Sequence, residues 1–200
     1  ITCKSADKRC THNVSQVKQV PKSGSGLATL TSSFAYESAF NKVSSATDAL
    51  GKVTSYTYTA QGEPLTVTAP ADAAGVQPQT TYGYTAYSAS GYPNFYLQTS
   101  QTRKIDASTS TVTTTTYATS NKYVPQIVVV DSGTGKLALA TNFAYDAVGN
   151  LTRVNGPRTD VTDTTDYAYD AQRRVTLTTD AQAKKTQYTF DADGRVTVTA

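Results

Sequence analysis

The stretch Tyr145-Asp146-Ala147-Val148-Gly149-Asn150-Leu151-Thr152 returns twice in the same register. It reappears as Tyr169-Asp170-Ala171-Gln172-Arg173-Arg174-Val175-Thr176 and as Phe190-Asp191-Ala192-Asp193-Gly194-Arg195-Val196-Thr197. Each copy begins on the second ring of an aromatic-x-aromatic pair: Phe143-Ala144-Tyr145, Tyr167-Ala168-Tyr169 and Tyr188-Thr189-Phe190. Strand side chains alternate between faces, so such a pair puts both rings on one face. The Asp after the pair can accept from the backbone N–H two residues on, an Asx-turn. Gly149 and Gly194 supply the positive φ that a type I turn with a G1 bulge requires. Leu or Val followed by Thr then opens the return strand.

The pattern extends outward over most of the chain. Further pairs stand at Phe34-Ala35-Tyr36, Tyr56-Thr57-Tyr58 and Tyr82-Gly83-Tyr84, and a degenerate copy starts near Tyr117. A second turn signal lies about half a repeat later, clearest at Asp48-Ala49-Leu50-Gly51-Lys52. Asp131-Ser132-Gly133-Thr134-Gly135-Lys136 and Asp180-Ala181-Gln182-Ala183-Lys184 are poorer versions. Each unit is therefore two strands and two turns. Gly62 falls at the first turn of its unit, and Asn41 takes the corresponding place after Tyr36. Arg173 stands where the other copies have Gly, which predicts either a strained residue or a change of turn type. The segment Tyr84 to Tyr96, with Gly91 and Pro93, reads as one turn lengthened into an aromatic loop. Thr111 to Thr116 is placed on a strand.

Composition agrees with an all-β chain. Tyr occurs 14 times and Trp and Met never, within 200 residues that are 38% hydrophobic and 16% charged. Thr, Tyr and Val suit a pleated, half-buried surface. A net charge of +3 is too small to imply a nucleic-acid partner. No apolar run approaches a membrane span; Ile127-Val128-Val129-Val130 is typical of the longest. The missing Met and the lack of a signal-peptide core read as a segment processed from something longer.

The Tyr-Asp-x-x-Gly-[Arg/Asn]-[Val/Leu]-Thr unit resembles the YD repeat of the RHS family. The resemblance covers roughly residues 27–200 and is strongest at 34–68 and 143–200. It rests on Tyr36, Tyr58, Gly62, Tyr145, Asp146, Gly149, Tyr169, Asp170, Phe190, Asp191 and Gly194. It implies stacked antiparallel hairpins forming a curved ribbon, part of a spiral shell or solenoid. In bacterial polymorphic toxins and the C subunits of Tc toxins, such shells enclose a toxic C-terminal domain; in teneurins, related repeats serve adhesion. The implied partners are further RHS repeats of the same parent chain and an enclosed toxin domain, and the implied location is secreted or at the bacterial cell surface. No self-cleavage region or toxin domain is recognisable, so the segment reads as wall.

Chemistry is sparse. His12 is the only histidine and sits beside Cys10, Thr11 and Asn13; a Cys–His pair is conceivable there, but an ordinary polar residue is the preferred reading. Cys3 and Cys10 suit a local disulfide in an exported chain and two free thiols otherwise, with the disulfide favoured. Zinc would need two more ligands. Gly133-Thr134-Gly135-Lys136 fails as a phosphate loop, with Val130 where Gly belongs and Leu137 where Ser or Thr belongs. Asp146, Asp170 and Asp191 each lie beside their own tight turn, which favours backbone capping over acid catalysis. No catalytic residue, metal site or cofactor is expected. Pro21 to Gly26 reads as a flexible joint, dividing a Cys-containing segment (1–26) from the repeats (27–200). The alternative function is a cell-surface adhesin or carbohydrate-binding repeat protein. Its contact loop would carry Tyr87, Tyr92, Phe95 and Tyr96, with glycans or surface receptors as partners.

Overall fold

The computed structural model describes residues 13–88, 90–106, 108–118 and 123–199. Regular structure among them is entirely β. The strands are β1 (Gln16–Gln19), β2 (Leu30–Tyr36), β3 (Val43–Thr47), β4 (Val53–Tyr58), β5 (Pro64–Thr68), β6 (Gln79–Tyr87), β7 (Phe95–Lys104) and β8 (Ser110–Ala118). They continue as β9 (Val124–Val130), β10 (Leu139–Tyr145), β11 (Leu151–Asn155), β12 (Thr164–Tyr169), β13 (Val175–Thr179), β14 (Lys185–Phe190) and β15 (Val196–Thr199). Two compact units are present, Ile1–Tyr96 with Gln101–Thr111, and Leu97–Ser100 with Val112–Ala200. In the first, β1 to β6 follow one another in chain order; in the second, β9 to β15 do; β7 and β8 each have residues assigned to both. The register is antiparallel wherever it is defined, as between β4 and β5 and between β12 and β13. The hairpin ribbon expected from the repeat is the fold.

One chemistry recurs in the hairpin turns. Asp146 Oδ1 accepts from the N–H of Val148 at 3.0 Å and of Asn150 at 2.8 Å. The backbone closes the same turn, with Asp146 N donating to Asn150 O and Gly149 N to Asp146 O. Asp48, Asp72, Asp170, Asp180 and Asp191 each accept from the residues two and four positions on. Thr59 does so with a hydroxyl, and Glu37 stretches one methylene further to take the N–H groups of Ala39, Phe40 and Lys42. Register shifts fall at the aromatic that marks the repeat, between Ala35 and Tyr36, Thr57 and Tyr58, Thr116 and Tyr117, Ala144 and Tyr145, Ala168 and Tyr169, and Thr189 and Phe190. A bulge of this kind is what the G1 geometry requires.

Arg173 resolves one sequence alternative. Its φ is 64°, and Asp170 caps this turn as in the other copies, so the turn type is kept and a non-glycine residue takes the left-handed conformation. Asn41 at 58° and Ala183 at 61° do the same.

The register sorts the side chains into two faces. Phe34 and Tyr36 share one face with Tyr56, Tyr58, Val67, Tyr82 and Tyr84 in the first unit, because Tyr56 pairs with Val67 and Val67 with Thr80. Phe143 faces Val154 in the second, on the side that also carries Tyr167 and Tyr188. The other face carries Ser45, Ser55, Thr57, Thr66 and Thr81 in the first unit, and Arg153 and Asp166 in the second. No apolar side chain among the described residues is buried.

Two expectations need correction. Residues 13–26 are not set apart from the repeats, since β1 pairs with β2 and the supposed joint is the turn between them, closed by Ser25 N donating to Lys22 O. The long aromatic loop is also shorter than expected. β6 runs on to Tyr87 and β7 begins at Phe95, so the unit lengthens in its strands, of 9 and 10 residues, rather than in its turn.

Gly62 is the buried exception. A Cβ there would lie 3.0–3.2 Å from the Phe40 ring, and φ is +87°; at Gly51 φ is +78° and a Cβ would meet nothing within 4 Å. Gly51→Ala is expected to cost about 1–2 kcal/mol from backbone strain alone. Gly62→Ala is expected to cost measurably more, because the ring must also move. Urea unfolding of both variants checks the ordering, and equal losses would mean that Phe40 does not pack on this turn.

Candidate functional site

The tyrosine that ends one strand reaches back to the preceding unit. Tyr58 Oη donates to Val43 O at 2.7 Å, and Val43 is the residue opposite Tyr36 at the bulge. Tyr84 donates to Pro64 O at 2.8 Å, and Pro64 stands opposite Tyr58. Tyr169 donates to Leu151 O at 2.7 Å, and Leu151 stands opposite Tyr145. Tyr36 reaches Val14 O and Tyr117 reaches Gln98 O, each at 2.9 Å. In these five places the side chain that marks the repeat ties a hairpin to the one before it. The degenerate copy at Tyr117 is a full member of this ladder. Desolvation pushes the Tyr58, Tyr84, Tyr145 and Tyr169 phenols up from the ordinary value, so they remain protonated donors at neutral pH.

Neighbouring turns also touch. Phe40 covers Gly62, and Lys42 Nζ lies between the Phe40 and Tyr58 rings while donating to Gly62 O. Arg173 Nε donates to Asn150 Oδ1 at 2.6 Å, which gives the strained arginine a role that glycine could not supply. Phe190 has no hydroxyl, and the Arg174 guanidinium sits 4.4 Å over its ring, a cation–π contact. Arg174 is held in turn by Asp170 at 2.7 Å. These contacts involve Tyr36, Tyr58, Gly62, Asp146, Gly149, Tyr169, Asp170, Phe190, Asp191 and Gly194 in hairpin closure or hairpin-to-hairpin joining, and Tyr145 stands at the bulge opposite Leu151. The sequence pattern points to the turn partners; the tyrosine–carbonyl bond and the arginine contacts emerge only when the bulge register is known.

Of the aromatic contact residues, Tyr87 and Phe95 are strand ends whose rings stack at 6.1 Å, and Tyr96 follows in β7. Tyr92 alone projects from the connecting turn, 74% exposed. Cys3, Cys10 and His12 lie outside the described residues. Among those described, no group of three or more His, Cys, Asp or Glu side chains could hold a metal, and no helix is long and apolar enough to cross a membrane.

Hairpins repeated in chain order, capped by carboxylates and joined by tyrosine hydroxyls, define a β-repeat ribbon. The family model for the RHS repeat matches residues 38–74 and 145–185 of this chain. Its fold is similar to the crystal structure of TcdB2-TccC3-Cdc42, with a TM-score of 0.63 at 14% identity, covering 85% of this chain and 9% of that one. It is likewise similar to TcdB2-TccC3-TEV, with a TM-score of 0.62 at 15% identity, over 84% of this chain and 9% of that one. The likeness is one of fold, and this chain spans 9% of the length of each of these two chains. No curated protein sequence matches it.

Two measurements test the site. Tyr58→Phe and Tyr169→Phe each remove one inter-hairpin bond, with an expected loss of about 1 kcal/mol per bond. Tyr56→Phe, outside the ladder, is expected to change the urea midpoint less, and equal effects would dissolve the ladder's significance. Acid titration tests the caps. The Asp106 carboxyl is held down at about 2, first by the Ser108 N–H, then by Thr109 and the Ser108 hydroxyl. Glu37 and Asp170 are also lowered, chiefly by the N–H groups of Lys42 and Arg174. A carboxyl lowered on folding adds stability that is complete above its unfolded value and lost as pH falls through the folded one. Stability is therefore expected to hold from neutral pH to near 4 and to decline toward 2. A decline centred at pH 6 would point to other groups.

Proposed function

We propose that this chain is a wall segment of a hollow RHS-repeat shell, secreted or displayed at a bacterial cell surface, that encloses and helps deliver a C-terminal toxin. One observation carries the reading: a ribbon of fifteen strands in which no described apolar side chain is buried. A sheet of this kind has no second layer to seal, and its two wide faces suit a partition between an inside and an outside. The match of two stretches to the RHS-repeat model and the fold likeness to structures containing TccC3 support the same reading. The role is structural, and its partners are neighbouring repeats of the parent chain and the enclosed domain.

Tyr92 supports a second reading, an adhesive or glycan-binding tip. Its exposed ring offers a flat face on which a sugar or a partner side chain can stack, and the stacked Tyr87 and Phe95 rings end the two strands that carry its turn.

Limited proteolysis of the whole polypeptide that carries these repeats separates the two. A non-repetitive C-terminal fragment that survives protease until the repeats unfold is the result expected of a container. Immediate digestion of everything outside the repeats overturns it. In that case loss of cell or glycan attachment in a Tyr92→Ala, Phe95→Ala variant is the result expected of the adhesive tip.

A further inference from the structure

We propose that the turn between β13 and β14 is a cleavage site for an endoprotease of trypsin-type specificity, one whose pocket takes a lysine ammonium. The turn runs Asp180-Ala181-Gln182-Ala183-Lys184, and Lys185 opens β14. Both lysines are exposed, and among the described residues neither ammonium has a bonding partner. Hydrolysis there breaks the bond between the Lys184 carbonyl carbon and the Lys185 nitrogen. Water leaves a carboxylate on the first and an amine on the second. The cut leaves β13 and β14 held together without a covalent link, by pairing of Leu177 with Gln187, Thr178 with Thr186 and Thr179 with Lys185, and by Arg174 over Phe190.

A protease cleft takes its substrate extended, so cutting at a closed hairpin turn waits on local opening. What favours opening here is Ala183. Its φ is 61°, in the left-handed region that is unfavourable for a residue with a Cβ. Asn41 and Arg173 hold the same conformation just before the last residue of their turns, and their side chains offset it. Asn41 bonds Asn13, and Arg173 bonds Asn150 and the Val148 carbonyl. A methyl group has no such bond to make. The adjacent arginines Arg173 and Arg174 are also basic, but Arg174 is held by Asp170 and lies over Phe190, so that turn stays closed.

The chain holds its own reference for this turn. Asp48-Ala49-Leu50-Gly51-Lys52 is closed by the same bonds, Asp48 N to Lys52 O and Asp48 Oδ1 from the N–H groups of Leu50 and Lys52. Asp180 repeats them with Lys184 and with Gln182 and Lys184. Both turns end in an exposed lysine. They differ where Gly51, at φ 78°, holds the left-handed conformation without strain. With cap, length and lysine alike, the difference in opening falls on one methyl group. The site goes beyond the wall and the adhesive readings and depends on neither, since the turn can open whether or not the repeats enclose a domain.

Trypsin at low ratio to the folded chain is the probe, with products followed by mass so that each turn is read separately. Each rate is divided by the rate at the same bond in a synthetic peptide, which removes differences in local sequence. Cutting after Lys184 or Lys185 is expected about fivefold faster than after Lys52, or more, as one strained residue supplies. Ala183→Gly is expected to bring it down to the Lys52 rate while leaving Lys52 unchanged, because cutting follows the population of the locally open turn. Gly51→Ala is expected to raise cutting after Lys52 by a similar factor. Equal rates at the two turns of the wild-type chain overturn the proposal. So does an Ala183→Gly chain cut after Lys184 as fast as wild type, or one slowed equally at both turns.

Discussion

A sheet one layer thick has no interior, and that constraint governs this molecule. Globular domains of similar length stabilise themselves chiefly by removing apolar surface from water. Here Phe34, Tyr56, Val67 and Tyr82 lie along one face and each is only half-buried, covered by neighbours along and across the strands. The free energy must come from many small increments: cross-strand pairs at a few tenths to about 1 kcal/mol each, capped turns and hydroxyl bonds. Such increments accumulate with the number of repeats. A repeat protein of this kind gains stability by growing, because each added hairpin brings its own turn and its own bond to the one before.

The two halves of the motif divide that work. Asp, Thr or Glu after the second aromatic satisfies the turn amides and closes the hairpin. The aromatic itself, when it is tyrosine, crosses to the carbonyl beside the previous bulge and sets the spacing between hairpins. Where Phe190 replaces tyrosine, Arg174 supplies a cation over the ring, held in place by the capping Asp170. The link between units is kept while its chemistry changes. The strain at Arg173 has a similar logic, because the residue that takes the left-handed conformation also grips the preceding turn through Asn150.

Much of this was legible from residue order. Tyr145-Asp146-x-x-Gly149 carries its turn type, its bulge and the direction of its rings in five positions, so the hairpin ribbon could be read before any coordinate. Asn41 could be read as a glycine substitute for the same reason. What could not be read depends on partners distant in sequence. Tyr58 and Val43 are joined only because the bulge at Tyr36 sets the register. The strands β6 and β7 outgrow their neighbours because a polar turn with Gly91 and Pro93 fixes where the chain reverses, and composition alone does not say how far pairing extends before it. Residues 16–19 lack the repeat signature, yet they form a strand because an edge of β2 is there to be paired.

Scanning calorimetry of the chain, at a concentration where it is monomeric, addresses the single-layer claim most directly. The heat-capacity change of unfolding reports newly exposed apolar surface, and globular proteins give about 12–15 cal/mol/K per residue. A ribbon without an interior requires a value well below that range, with a broad transition that sharpens as repeats are added. A full globular value with a sharp transition would mean that the faces are covered by a second layer, and would contradict the account.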